Sequence, residues 1–184
     1  MIWGVIGIIV LIGIYWVSVY NRLVQRRNWV KEAFSQIDVQ LQRRNDLIPN
    51  LVNTVKGYAS HESDTLEMVT KARQQLINLP DSATPEQINA ASNQLTGALQ
   101  RLLAVSEAYP ELQANTNFLQ LQSTLEEIEK QIATARQLFN SSVTQFNNAI
   151  QMFPNSVIAG VHGFTAFDLL ETPEEDRAVP EVQF

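Results

Sequence analysis

His61-Glu62 opens like the His-Glu-x-x-His helix of a zinc protease, where two histidines one turn apart bind metal beside a general base. The fifth position here is Thr65, so the second ligand is absent. The remaining histidine, His162, stands far away in a Gly-containing tail. Glu126, Glu127 and Glu129 form a carboxylate cluster, but neighbouring helical positions point in different directions and no Glu-x-x-His spacing accompanies them. A solvated face with one internal pair accounts for them better than a metal site. Ser60 beside His61 lacks an acid partner, and a nucleophile and base need the whole arrangement together. No Gly-Lys-Ser/Thr phosphate loop follows a strand, and the absence of cysteine removes thiol chemistry and disulfides. These patterns predict a protein that is not an enzyme, with no catalytic residue, cofactor, metal or small-molecule substrate.

Two other groups of charges carry more information. Arg22, Arg26, Arg27 and Lys31 follow directly on an apolar stretch, where they suit anionic headgroups or serve as topology determinants. Arg44 occupies a slot on an otherwise apolar helix stripe. A buried unpaired charge costs several kcal/mol, on the order of 3–5, so Arg44 needs a carboxylate.

The elements that position these residues follow from hydrophobic spacing. Ile2–Tyr20 contains no charge and is long enough to cross a hydrocarbon core of roughly 30 Å. Trp3 at one end and Tyr15, Trp16 and Tyr20 at the other suit the headgroup layer. The chain has neither the basic start nor the small-residue site of a cleaved signal peptide, so a retained anchor is expected. The basic residues after the span place the N-terminus outside and residues 21–184 in the cytoplasm. Trp16, Tyr20, Arg22, Arg26, Arg27 and Lys31 are the expected membrane-surface residues.

Beyond the anchor, Val30, Phe34, Ile37, Leu41, Ile48, Leu51, Val55 and Tyr58 recur in threes and fours with Arg44 among them, as on a bundle helix. Pro49 predicts a kink rather than an end. A reversal is expected near Ser60; without it, one helix would reach about Leu79 and the bundle would have three helices. Leu66, Val69, Leu76 and either Ala72 or Arg73 mark a shorter helix. Thr84-Pro85-Glu86-Gln87 reads as a capping box, and Ile88, Leu95, Leu99, Leu102, Val105 and Tyr109 line the helix that follows. Asn117 with Gln120 is the expected cap of a last helix running from Phe118 to Phe153.

At about 1.5 Å per residue the first and last helices are each roughly 55 Å long and the middle two nearer 30 Å. Two long helices flanking a short hairpin predict an all-α, up-and-down four-helix bundle continuing from the transmembrane helix. The expected segments are an anchor over 1–20, a bundle over 21–153 and a loosely structured tail over 154–184. Counting inward from an antiparallel return sets Arg44 level with Glu129 and Asp38 level with Arg136. The expected ion pairs are Arg44 with Glu129 or Glu126, and Asp38 with Arg136.

Several runs resemble the LemA family of bacterial membrane proteins: Tyr20-Asn21-Arg22-Leu23-Val24, the run from Ala33-Phe34-Ser35-Gln36-Ile37-Asp38 to Ile48-Pro49-Asn50-Leu51-Val52, and Val55-Lys56-Gly57-Tyr58-Ala59. Glu107-Ala108-Tyr109-Pro110, Asn117-Phe118-Leu119-Gln120-Leu121-Gln122 and Phe153-Pro154 with Ile158-Ala159-Gly160 extend the likeness over nearly the whole chain. The sequence departs from the family at Lys130 and Gln131, where Asn-Arg is usual, at Thr134, where an aromatic is usual, and at Phe139, where Tyr is commoner. The resemblance implies an N-terminal anchor in a bacterial inner membrane and a four-helix bundle. It implies no activity.

Lys+Arg total 13 against 19 Asp+Glu, a formal charge of -6, which argues against nucleic acid as a partner. Neutral Gln and Asn fill much of the polar surface, a composition that tolerates helix-against-helix assembly. The tail residues Val157, Ile158, Val161, Phe164 and Phe167, with Val182 and Phe184 in a short alternating run, lack a core of their own. The headgroup region or a groove on a neighbouring protomer would cover them, and the acidic run from Glu171 to Asp176 favours the neighbour. The expectation is therefore a single-pass scaffold, in contact with the lipid bilayer, that self-associates on the cytoplasmic face to organise or shape the membrane. The alternative is an adaptor presenting the bundle to another membrane protein, such as a protease or signalling kinase.

Overall fold

A computed structural model describes residues 2–171. Among them the regular structure is entirely helical: α1 Ile2–Tyr58, α2 Ser63–Ile77, α3 Pro85–Ser106, the single turn α4 Pro110–Gln113, α5 Thr116–Gln151 and α6 Asn155–Val161. The helices distribute over two compact units, one of Met1–Gln36 with Ala135–Leu169 and one of Ile37–Thr134 with Leu170–Phe184. The division cuts through both long helices and does not follow the anchor, bundle and tail segments read from the sequence.

The second unit is the four-helix bundle. Ile48, Leu51 and Val55 of α1, Leu66, Val69 and Leu76 of α2, Leu95, Leu99 and Leu102 of α3, and Phe118 and Leu125 of α5 form one buried cluster. The chain reverses after Tyr58: Ala59 N–H still donates to Val55 at 2.8 Å, and Glu62 N–H then closes a turn onto Ala59 at 3.1 Å. That reversal decides for four helices over three. On the α2 stripe Ala72 is buried, so it is the alanine, not Arg73, that faces the core. Within this unit α1 and α5 run antiparallel, since Arg44 meets Glu129 while Tyr58 meets Asn115 further out.

Local chemistry sets the helix ends. The Thr84 hydroxyl accepts from the Gln87 N–H at 3.3 Å and the Gln87 side chain accepts from the Thr84 N–H at 2.9 Å, a complete capping box. The last long helix departs from expectation: its cap is Asn115, whose Oδ1 accepts from the Phe118 N–H at 3.0 Å. Asn117 lies inside the helix. Phe118 is buried in the core and so must already be helical, which pushes the cap upstream.

α1 runs through Pro49 without a break. Proline has no N–H to give the carbonyl four residues back, so the Asn45 carbonyl loses its helical donor. Arg73 of α2 takes over that role, its Nε donating to the Asn45 oxygen at 3.0 Å. A side chain from the next helix thus satisfies a backbone group that the proline left open.

The first unit pairs the start of α1 with the end of α5. Val19, Leu23, Val30 and Ala33 are buried, as are Ala135, Phe139, Val143 and Phe146. Phe34 meets Phe139 edge-on at 5.7 Å, and Arg26 donates to the Gln145 carbonyl at 3.2 Å, again an antiparallel progression. Every residue from Ile2 to Tyr15 is exposed, and α1 is long and apolar enough at this end to cross a membrane. After α6 the backbone turns at Gly163, whose φ of 67° is the left-handed conformation that glycine adopts without strain.

Candidate functional site

Two places bring charged and polar side chains together, one in each unit. In the bundle, Arg44 is fully buried at 0% exposure. One terminal nitrogen donates to Glu129 Oε1 at 3.0 Å and to Thr96 Oγ1 at 2.9 Å. The other donates to Ser92, to its hydroxyl at 2.9 Å and its carbonyl at 3.3 Å. The guanidinium therefore ties α1 to both α3 and α5. Glu129, at 31% side-chain exposure, keeps one side toward water while neutralising the buried charge. Of the two carboxylates expected opposite Arg44, Glu129 is the partner, and Glu126 instead accepts from Gln122 on the exposed face of α5. An arginine is protonated at any physiological pH and cannot act as a base, so this network holds helices in register rather than moving protons.

Asp38 belongs to the second unit and Arg136 to the first. Partial burial raises the Asp38 carboxyl above its ordinary value. His61 stands in the turn between α1 and α2, and Glu62 beside it accepts from the Tyr109 hydroxyl at 3.2 Å. Burial, and then that hydrogen bond and the negative charge of Glu62, raise the Tyr109 phenol. Among the described residues no three His, Asp or Glu side chains converge.

The second place is the end of the anchor. Trp16 Nε1 donates to His162 Nε2 at 3.1 Å, and Tyr20 lies 4.6 Å from the His162 ring. Tyr20 also meets Phe164 at 5.9 Å, and Phe164 packs on Phe146 at 6.2 Å. The Arg27 guanidinium sits over the Phe164 ring at 5.2 Å, a cation–π contact. Phe167 packs on Phe146 at 5.4 Å, and the Asn147 amide holds the Phe167 backbone by two hydrogen bonds of 2.8 and 3.0 Å. Arg22 and Lys31 are exposed.

This cluster corrects the expectation for the tail. Ile158 is buried, and Phe164 and Phe167 are partly buried against the first unit of the same chain, so these three have intramolecular cover. Spacing along the stripes does not reveal that Phe146, in the last turns of α5, and Tyr20, at the end of the anchor, each offer a ring face to the tail. Val157 and Val161 point the other way and remain 51% and 66% exposed, and Met152 and Phe153 before them are exposed too. Val182 and Phe184 lie outside the described residues.

The model of the LemA family matches residues 33–184, most of the chain. The chain belongs to the LemA family. It is 28% identical over 155 residues to Protein LemA of Metamycoplasma hominis, covering 82% of this chain and 69% of that one. It is 27% identical over 184 residues to magnetosome protein MamQ of Magnetospirillum gryphiswaldense, covering 87% and 68%. MamQ 2 of Paramagnetospirillum magneticum is similar to the same extent. Neither name, LemA or MamQ, denotes a reaction.

Proposed function

We propose that this LemA-family protein is a non-enzymatic scaffold, anchored by Ile2–Tyr20 and self-associating on the cytoplasmic face of a bacterial inner membrane. The observation that carries the reading is how the anchor ends. Trp16 and Tyr20 are bonded and stacked onto His162 and Phe164, so the span is not a loose leash on the first unit. Molecules confined to a plane and held in one orientation meet at high effective concentration, which lets weak lateral contacts add up. Exposed apolar side chains suited to such contacts stand in both units, Trp29 and Leu138 in one and Val39 and Leu119 in the other. The Arg44 network fits a structural part, and the family names give no reaction to set against it.

Orientation rests on Arg22, Arg26, Arg27 and Lys31 following the span. A phosphatase reporter fused after Phe184 should stay inactive, as it folds only when exported. Electron microscopy and native mass of gently extracted full-length protein test the association itself. Homomeric particles of many copies are expected. Monomers that consistently carry a different membrane protein would replace the scaffold with an adaptor.

A further inference from the structure

A cavity of about 310 Å³ opens where α1 leaves the anchor, between it and the last turns of α5. Arg22 and Arg26 supply its charge, Asn148 and Asn155 add carboxamides, and no acidic residue lines it. On a chain of net charge -6, a cavity with two guanidiniums and no carboxylate stands against the general sign. Its inner wall is apolar, Val19 and Leu23, and the exposed Met152 forms part of its rim.

Depth identifies the occupant. If Tyr20 marks the edge of the hydrocarbon, then at 1.5 Å per residue Arg22 lies about 3 Å and Arg26 about 9 Å beyond it. The headgroup layer on each side is roughly 5–7 Å thick, so the two arginines bracket the plane of the phosphates. Arg26 is steadied through its bond to the Gln145 carbonyl, while the fork of a guanidinium has further N–H groups to offer a phosphate. We infer that this cavity holds the phosphodiester of one anionic phospholipid, with the phosphate between Arg22 and Arg26 and the acyl chains running back along the Val19 side of the anchor. The volume suits a phosphate with a glycerol headgroup. The quaternary ammonium of phosphatidylcholine would meet two like charges and is disfavoured. The inference rests on the reading of Ile2–Tyr20 as a membrane span.

Native mass spectrometry of the full chain in detergent, titrated separately with phosphatidylglycerol, phosphatidylcholine and inorganic phosphate, tests it. One phosphatidylglycerol should be retained per chain, with phosphatidylcholine at least about tenfold weaker for the lost charge match. Arg22→Gln with Arg26→Gln should weaken retention about thirtyfold, the effect of two basic residues at the surface. Asn148→Leu with Asn155→Leu should also weaken it, although the charge is unchanged, and Lys31→Gln should not. Should the double arginine variant melt early through loss of the Gln145 contact, Arg22→Gln alone carries the test, because Arg22 is exposed. Weakening by Lys31→Gln equal to that of Arg22→Gln, or no effect of the asparagine pair, would mean diffuse attraction and overturn the site. Inorganic phosphate competing at the lipid's own concentration would overturn the lipid as its ligand. Carbonate extraction from phosphatidylcholine vesicles separates the two readings: release of the wild type sinks the anchor, whereas retention without lipid preference sinks only this inference.

Discussion

Replacing Arg73 by methionine keeps the length of the side chain but removes the donor that reaches the Asn45 carbonyl at 3.0 Å. Asn45 is only 6% exposed, so water cannot readily replace that donor. A buried acceptor left without a partner costs about 1–3 kcal/mol, and hydrogen bonds from charged donors lie in the upper part of that range. About 2 kcal/mol is therefore expected, or roughly 4–8 °C in Tm for a chain of this size. The same carbonyl can be served from within α1 by giving position 49 an N–H. Pro49→Ala should remove most of the penalty, so that adding Arg73→Met to a chain already carrying Pro49→Ala costs about 0.5 kcal/mol. A coupling energy of about 1.5 kcal/mol is then expected from the four-protein cycle. Helical circular dichroism during thermal unfolding of the full chain in detergent measures it. Equal cost of Arg73→Met in both backgrounds would refute the idea that Arg73 compensates for the proline.

Three further outcomes follow from the bundle. Glu129→Ala should cost about 2–3 kcal/mol, below the usual penalty for stranding a buried charge because Glu129 is part-exposed, and Arg44→Met with Glu129→Gln should cost less than the single change; thermal melts of the two variants beside the wild type decide it. Thr84→Ala breaks one arm of the capping box and should lower stability by about 1 kcal/mol, with amide exchange rising first over the opening turn of α3. Asp38 binds its proton more tightly folded than unfolded, so its contribution to stability is greatest below its ordinary 3.8 and declines as pH climbs through the raised value. Asp38→Asn should accordingly be more stable than the wild type at neutral pH, and the gain should vanish below 3.8; matching urea curves at pH 7 and at acid pH would exclude the effect.

The long-range register was legible because two uninterrupted helices of equal rise leave little freedom. Once their antiparallel return is assumed, counting alone brings Arg44 to Glu129. Caps were less legible, since Asn115 and Asn117 carry the same chemistry and only the burial of Phe118 separates them. Spacing alone fits Arg73 to the apolar stripe as well as Ala72; its actual role depends on a carbonyl one helix away that no local pattern announces. The cover of Phe164 and Phe167 was also hidden, because ring faces left over at Tyr20 and Phe146 exist only once those helices are side by side. The cavity beside Arg22 and Arg26 needed the position of Asn148 and Asn155 as well as the basic run, which the sequence did show.

The bond from Trp16 to His162 also bears on where the chain can be cut for work in water. A fragment starting just past Tyr20 sheds Trp16 and Tyr20 together, and bares the faces of His162 and Phe164 that these rings had met. Such a fragment would carry a fresh greasy wound at one end. Any clumping it shows in solution would report on that wound and is no test of association between intact molecules. A start within the apolar stretch, upstream of Trp16, trades this artefact for a short detergent-hungry stub but leaves the joint whole.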